Sequence, residues 1–392
     1  MRAPLETPAL IYDEGRLRRH LGLLSTVRQT GGVRALYSIK AMPLVALLER
    51  IAPAVDGFSV SSLFEAQLAQ GVLQKQGTVA RSQLHITTPG LKPEDIEAIA
   101  ECCDAISFNS LEQFQRLYPV LQDRAVAGLR VNPGCSFVTD DRYNPCRSGS
   151  KLGIPLSELQ SHTRSLTGLV KGLHFHTLFG STTREPLRIT LQMLESALGD
   201  WLDTLEWVNC GGGYLIEDVA CAEELAEILG TFSQRHGVEV YIEPGNALVG
   251  MAGTLVVRVL DVFQRDGETI VVVDSGVHHL PEVFEYQRAP RLMNHMPDGP
   301  CQCQLVGSSC LAGDIFGRYR LAEPLKPGDL VTFEQVGAYS MVKASRFNGH
   351  DLPVIYLREI DGSLKLLKRF GYESFRGQWD TLDTGAHLTV SG

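Results

Sequence analysis

From about residue 33 to residue 245 the chain repeats one pattern eight times: a short run of β-branched and aromatic residues, then a longer amphipathic run. The strand-like runs are ALYSIK (35–40), GFSVSS (57–62), LHITT (84–88), AISFNS (105–110), AGLRVN (127–132), KGLHFHT (171–177), LEWVNCGGG (205–213) and VEVYIEPG (238–245). Among the segments between them are PLVALLERIA, KPEDIEAIAECC, LEQFQRLYPVL, REPLRITLQMLESALGDWL and CAEELAEILGTFSQRHG, whose apolar residues recur at three-to-four spacing. That is the period of a helix with one buried face. Strands alternating with helices imply a parallel sheet. Eight of them predict closure into a (β/α)8 barrel of ordinary size; the alternative is an open doubly wound sheet.

After residue 250 the rhythm changes. TLVVRVLDVF, TIVVVDSG, CQCQLVGSS, DLVTFEQVG, LPVIYLREI and SLKLLKR are strand-like and separated by turn residues such as Asp266-Gly267, Pro327-Gly328-Asp329 and Asp361-Gly362. Without strong helices between most of them, they read as an antiparallel β domain. The early ALIYDE segment is a candidate to join it. The expected organisation is a barrel over 26–248 and a β domain built from 1–25 and 249–392.

Composition narrows the function. A chain with 44% hydrophobic and 21% charged residues is an ordered globular one. A net charge of −9 with no long Lys/Arg run argues against a nucleic-acid or membrane surface. The apolar runs are too short for a membrane span, and the N-terminus lacks the apolar core of a secretory signal. The nine cysteines are scattered without a CxxC pair, so no zinc ribbon or other metal site is expected, and the thiols fit a reduced, cytoplasmic protein.

In a (β/α)8 barrel the chemistry gathers at the C-terminal ends of the strands. Here those ends carry Lys40; Ser61 and Ser62, with Glu65 a turn later; Arg130 and Asn132; His174 and His176; Gly211, Gly212 and Gly213; and Glu243, Pro244 and Gly245. Each has a bland reading alone: a solvated lysine, a hydrogen-bonded structural histidine, a glycine turn. Together they put a lysine, an arginine, histidines, a glycine loop and a carboxylate on one rim. The glycine loop after the seventh strand is most informative, because barrels often bind phosphate there and residues without side chains let backbone amides approach it. GGGYLI matches neither the spaced dinucleotide fingerprint nor a P-loop. A phosphate cradle, an inward lysine and an opposed carboxylate point to pyridoxal 5'-phosphate. Lys40 would then form the Schiff base, Glu243 would keep a proton on the pyridine nitrogen, and His176 would lie against the ring.

These motifs resemble those of the fold-type III pyridoxal-phosphate decarboxylases, the family of ornithine and diaminopimelate decarboxylases, over nearly the whole chain. YSIKA resembles the family's lysine motif, which implies Lys40 as the cofactor lysine; GLHFHT implies ring stacking by His176; GGG at 211–213 and EPG at 243–245 resemble the phosphate loop and the glutamate at the pyridine nitrogen. GSSCLAGD (307–314) resembles the family's Cys loop. It implies that Cys310 protonates the carbon left by carbon dioxide and that Asp314 contacts the substrate amine. VGAYSMVKASRFNG (336–349) resembles the segment whose tyrosine, here Tyr339, reaches the cofactor phosphate. The family inserts the Cys loop into the partner's site, which implies a homodimer with shared active sites.

Within the family the likeness is to the carboxynorspermidine/carboxyspermidine decarboxylase group of polyamine and spermidine biosynthesis, carried by LRVNPG, DRYNPCRSGSKLGI, WVNCGGG and CLAGD. It implies a small-molecule L-amino acid substrate bearing an aminocarboxypropyl group, with Arg130, Asp274, His278 and Glu285 as candidates for contacting it. Asn246 departs from the residue expected after EPG, HTLFGS lacks an expected acidic residue, and SSC replaces Pro-Thr-Cys. An aminocarboxypropyl group on another carrier, such as a microcin C-type peptidyl nucleotide, is therefore the alternative substrate. An amino-acid racemase on the same scaffold is disfavoured, because a racemase suits an arginine where this chain has Glu243. A cofactor-binding protein without turnover is disfavoured by Cys310.

Overall fold

The computed structural model describes residues 5–78, 83–121, 124–138 and 140–381. The chain forms two units. One runs from Asp13 to Gly253 and takes back Gly337–Val342; the other contains Thr254–Val336 together with the described residues before Asp13 and after Val342.

Strands are numbered along the chain from β1 (Ala9–Asp13). In the first unit lie β2 (Arg34–Ser38), β3 (Gly57–Val60), β4 (Gln83–Thr87), β5 (Ala105–Phe108), β6 (Val126–Asn132), the two-residue β7 (Ile154–Pro155), β8 (Gly172–His174), β9 (Trp207–Asn209) and β10 (Glu239–Ile242). Setting β7 aside, eight parallel strands pair in sequence, and β10 pairs back onto β2 through Tyr241↔Arg34 and Ile242↔Ala35. The sheet is a closed barrel, as the alternation of strands and helices predicts; β7 only extends the end of β6. Strands buried on both faces read as near-continuous apolar runs, and β3 and β5 are buried at every residue.

Helices start where the sequence supplies caps. Asp13 accepts from the Arg16 amide at 2.8 Å at the head of Glu14–Gly31, and Ser62 accepts from the Glu65 amide at 3.2 Å at the head of Leu63–Gln76. Glu65 reaches back to the Ser61 amide at 2.7 Å, so the end of β3 is tied to its helix.

The barrel interior is filled by complementary sizes. Gly128 on β6 and Gly172 on β8 are paired in register, and Gly172 in turn pairs with Trp207 on β9. A Cβ on Gly172 would lie 1.9 Å from the Trp207 ring, and one on Gly128 would lie 2.5 Å from it. Both glycines therefore make the space that the indole fills. His85 packs against Trp207 and Tyr241 at ring distances of 5.1 and 4.7 Å. Toward the strand starts the Tyr241 hydroxyl lies 2.7 Å from Gln83 and 2.8 Å from Glu239, which pairs with Arg34 at 2.8 Å.

The second unit holds β11 (Gly253–Arg265), β12 (Glu268–Val273), β13 (Arg291–Leu292), β14 (Cys301–Val306), β15 (Ile315–Leu321), β16 (Leu330–Glu334), β17 (Val354–Arg358) and β18 (Leu364–Lys368). Its sheet runs β15-β14-β12-β11-β1-β17-β18, with β16 joining β11 to β13, so the early ALIYDE segment takes a central place. β11 with β12, β11 with β16, β13 with β16, β14 with β15 and β17 with β18 pair antiparallel, whereas β12 with β14 is parallel. A parallel pair needs a long connection, and the stretch 274–300 with its helix Pro281–Tyr286 supplies one.

Candidate active site

In the barrel unit, the residues expected at the strand ends converge. Lys40 stands in a short turn, Ile39–Ala41, just past β2, and is exposed. Glu243 follows β10, the strand paired with β2, and is 5% exposed. The Ser38 amide donates to the Pro244 carbonyl at 3.0 Å, and a Cβ on Gly245 would touch Ala41 at 3.0 Å, so the YSIKA and EPG segments lie against each other.

Glu243 is gripped from the neighbouring strands. Asn209, the last residue of β9, donates from Nδ2 to Glu243 Oε1 at 2.9 Å, while its own Oδ1 accepts from the Gly211 amide at 2.9 Å. His174 Nε2, at the end of β8, faces Oε2 at 3.7 Å. Burial alone would raise the carboxyl's pKa. The polar His174 ring beside it and the Lys40 ammonium outweigh burial and hold it well below the ordinary range, so Glu243 is a buried carboxylate.

His176 lies two residues past the end of β8. The Gly212 amide donates to its Nδ1 at 3.0 Å, which fixes the ring and places the remaining proton on Nε2. Burial, with Lys40 and Arg130 beside it, pushes this imidazole well below its usual pKa and keeps it neutral. Arg130 on β6 pairs in register with His174 and is 9% exposed.

The glycine loop does more than leave room for phosphate. Gly211 and Gly213 have φ of 64° and 95°, and a Cβ at Gly211, Gly212 or Gly213 would come within 2.6 Å of the Phe175, Glu243 or Leu178 carbonyl oxygen. Two of the three amides serve Asn209 and His176. Within the protein the loop therefore orients the carboxylate and the ring histidine. Asn209 is the residue sequence reasoning missed; its only signal is a polar side chain two residues before the glycines. Late in the chain, the Tyr339 amide donates to the Ala41 carbonyl at 2.9 Å, which brings this tyrosine's backbone beside the Lys40 turn.

The features fit pyridoxal phosphate. A buried ionised carboxylate keeps one oxygen without a close donor, a neutral imidazole is fixed beside it, a loop without side chains follows, and an exposed lysine stands on the adjacent strand.

In the sheet unit, Cys310 is exposed, and its amide donates to Asn348 Oδ1 at 2.8 Å. Asp314, which the sequence reading sets against the substrate amine, is 3% exposed. It accepts from the Val277 amide at 2.7 Å, the Ser309 amide at 3.1 Å and the Ser309 hydroxyl. A Cβ on Gly307 would overlap this carboxylate. Asp314 is thus the clasp that closes the Cys310 loop. Asp274 is likewise engaged in the sheet, accepting from the Thr7 hydroxyl at 2.5 Å and the Arg258 amide at 2.8 Å. Glu285 pairs with Lys343 at 2.8 Å. His278 is half-buried, edge-on to His279 at 4.1 Å and tilted against His350 at 5.5 Å, and its Nε2 has no partner among the described residues. Of the four sheet-unit residues expected at the substrate, it alone has a buried polar atom left over in this way.

The family model described as "Pyridoxal-dependent decarboxylase, C-terminal sheet domain" matches residues 10–337. The chain belongs to the pyridoxal-dependent decarboxylases. It is an enzyme of that class, and its cofactor is pyridoxal phosphate. The decarboxylase is 34% identical over 381 residues to carboxyaminopropylagmatine decarboxylase of Synechocystis sp., with 95% of each chain covered. It is 31% identical to carboxynorspermidine/carboxyspermidine decarboxylase of Herminiimonas arsenicoxydans, covering 95% of this chain and 98% of that one. Among solved structures it is similar to carboxynorspermidine decarboxylase of Campylobacter jejuni complexed with norspermidine, with a TM-score of 0.84, 27% identity, and coverage of 95% of this chain and 100% of that one. Among the described residues, no helix is long and apolar enough to cross a membrane and no cluster suited to a metal ion occurs.

Proposed function

We propose that this decarboxylase removes the α-carboxylate of an L-amino acid whose aminocarboxypropyl group is attached to a polyamine-like carrier, as in carboxynorspermidine or carboxyspermidine. The observation that carries this reading is the near-complete coverage by relatives whose names share a carboxylated polyamine or agmatine substrate. Carboxyaminopropylagmatine, named for one of them, is the same group on a different carrier, and is a second substrate to test.

Bound pyridoxal phosphate supplies the sink for the electron pair released as carbon dioxide departs. Lys40 would hold the cofactor through its Nζ. Glu243 keeps the ring nitrogen protonated: a carboxylate beside an N–H favours the charged form of both. His176 packs on the ring in the orientation set by Gly212. Gly211, Gly212, Gly213, Gly245 and Tyr339 would line the phosphate site. Arg130 and His278 face the substrate, and Cys310 Sγ delivers a proton to the α-carbon. The enzyme works as a cytoplasmic homodimer in which the Cys310 loop of one protomer serves the barrel of its partner; the exposure of Cys310 and the clasp that fixes its loop favour this arrangement.

The test is a carbon-dioxide release assay with carboxynorspermidine, carboxyspermidine, carboxyaminopropylagmatine, diaminopimelate, ornithine and an aminocarboxypropyl nucleotide. One of the first three should give the highest kcat/KM. A preference for diaminopimelate, ornithine or the nucleotide would overturn the substrate assignment. In the same assay Cys310→Ala should lower kcat on the order of 10²-fold, the scale of a lost general acid.

A further inference from the structure

His174 is 2% exposed, and neither of its ring nitrogens has a hydrogen-bond partner among the described residues. Burying an imidazole in that condition is costly, so the position calls for a reason. None of the cofactor or substrate roles proposed above falls to it.

Its surroundings supply the reason. His174 is the last residue of β8, in register with Arg130 on β6 and with Asn209 on β9. Asn209 and His174 therefore stand side by side at one level of the barrel, and both reach the same carboxylate. Asn209 takes Glu243 Oε1 at 2.9 Å; His174 Nε2 faces Oε2 at 3.7 Å. The Gly211 amide at Asn209 Oδ1 settles which end of that side chain donates to Glu243. The histidine covers the oxygen Asn209 leaves.

We infer that His174 is a positioning residue for Glu243: with Asn209 on one oxygen and the His174 ring on the other, the carboxylate is held charged and in one orientation before any ligand arrives. The inference deepens the reading that Glu243 pairs with the cofactor's ring nitrogen, and its significance for the reaction rests on that reading. The other titratable groups that act on Glu243 are Lys40 after β2, His85 on β4, Arg130 on β6, His176 after β8 and Tyr214 after β9. Burial favours the neutral form of His174, so its ring acts as a polar neighbour of the charge more than as a second full charge. A leucine of similar bulk would leave Oε2 against hydrocarbon, and Glu243 would take up a proton at higher pH.

The experiment uses the full chain freed of cofactor. The infrared carbonyl band of a protonated carboxylic acid, assigned to Glu243 by its loss in Glu243→Gln, is followed against pH in the parent, His174→Leu and His174→Gln. The leucine variant should titrate higher than the parent by about one pH unit or more, and the glutamine variant, which keeps a donor, should lie between them. Coincident titrations in the parent and a folded leucine variant overturn the inference. Should the leucine variant not fold by circular dichroism, the reciprocal effect decides, since coupling between two sites runs both ways. The ¹⁵N signals of His174 should report a changed tautomer or protonation state in Glu243→Gln; unchanged signals overturn the inference. No substrate enters either measurement, so failure of the substrate panel would reject the substrate assignment and leave this result standing.

Discussion

The two ends of the barrel are made from the same eight strands and solve opposite problems. At the strand starts and through the middle, side chains answer one another. Trp207 fills the space of two glycines, His85 lies against two aromatic rings, and Tyr241, Gln83, Glu239 and Arg34 form a closed polar chain. At the strand ends, among the described residues, Glu243 keeps one oxygen without a close donor, His174 has two unmet nitrogens, and Lys40 is exposed. The lesson is where each kind of energy is placed. The first end supplies stability, and the second keeps unmet polar groups in place for a ligand.

That contrast can be broken experimentally. The largest effect is expected from Lys40→Ala, which should abolish both turnover and the visible absorbance of the bound cofactor. Its stability without cofactor should stay within about 0.5 kcal/mol of the parent in denaturant titrations, as for an exposed side chain. A persisting absorbance band would remove Lys40 from its role.

Next comes His85. Burial holds its imidazole down to about 4, against an unfolded value of 6.5. The unfolded chain takes up a proton as pH falls below 6.5 while the folded chain does not, so stability is full above that pH and declines toward pH 4. The loss is of order 3 kcal/mol. Urea midpoints across this range should fall less steeply in His85→Gln; equal slopes would show that His85 does not titrate as described.

Gly172→Ala places a methyl group inside the Trp207 ring volume. It should destabilise the chain by about 1–3 kcal/mol, the usual range for overpacking, while kcat of the folded fraction is unchanged. A loss of kcat with intact stability would mean that the two ends are not separable. The smallest effect is expected from Tyr241→Phe, which removes the hydroxyl between Gln83 and Glu239 and should cost about 1 kcal/mol in thermal or urea unfolding.

The sequence made the barrel legible because every strand ended in punctuation: a lysine turn, a serine cap, a glycine loop, a proline. It also placed Lys40 and Glu243 on one rim, since strand order alone brings the first and eighth strands together. What it concealed were partners set by distance along the chain. Asp274 reads as a candidate substrate contact, and nothing near it in sequence shows that Thr7, at the other end of the chain, donates to it. Asp314 reads as a contact to the substrate amine, and nothing in its motif shows that the 307–314 loop also closes on its carboxylate. Alternation along GLHFHT would aim both histidines alike, but β8 stops at His174, and the orientation of His176 comes from the Gly212 amide. β15 went unread because Gly317, Arg318 and Arg320 dilute its apolar character, although Phe316, Tyr319 and Leu321 are buried. The helix Pro281–Tyr286 is too short for its periodicity to register.

The segment Gly337–Val342 belongs to the barrel unit, although β11 to β16 are made before it. A ribosome therefore finishes all eight staves well before it delivers the piece that seats against Ala41. The nascent barrel has its wall complete while the turn that carries Lys40 still waits for this backbone partner.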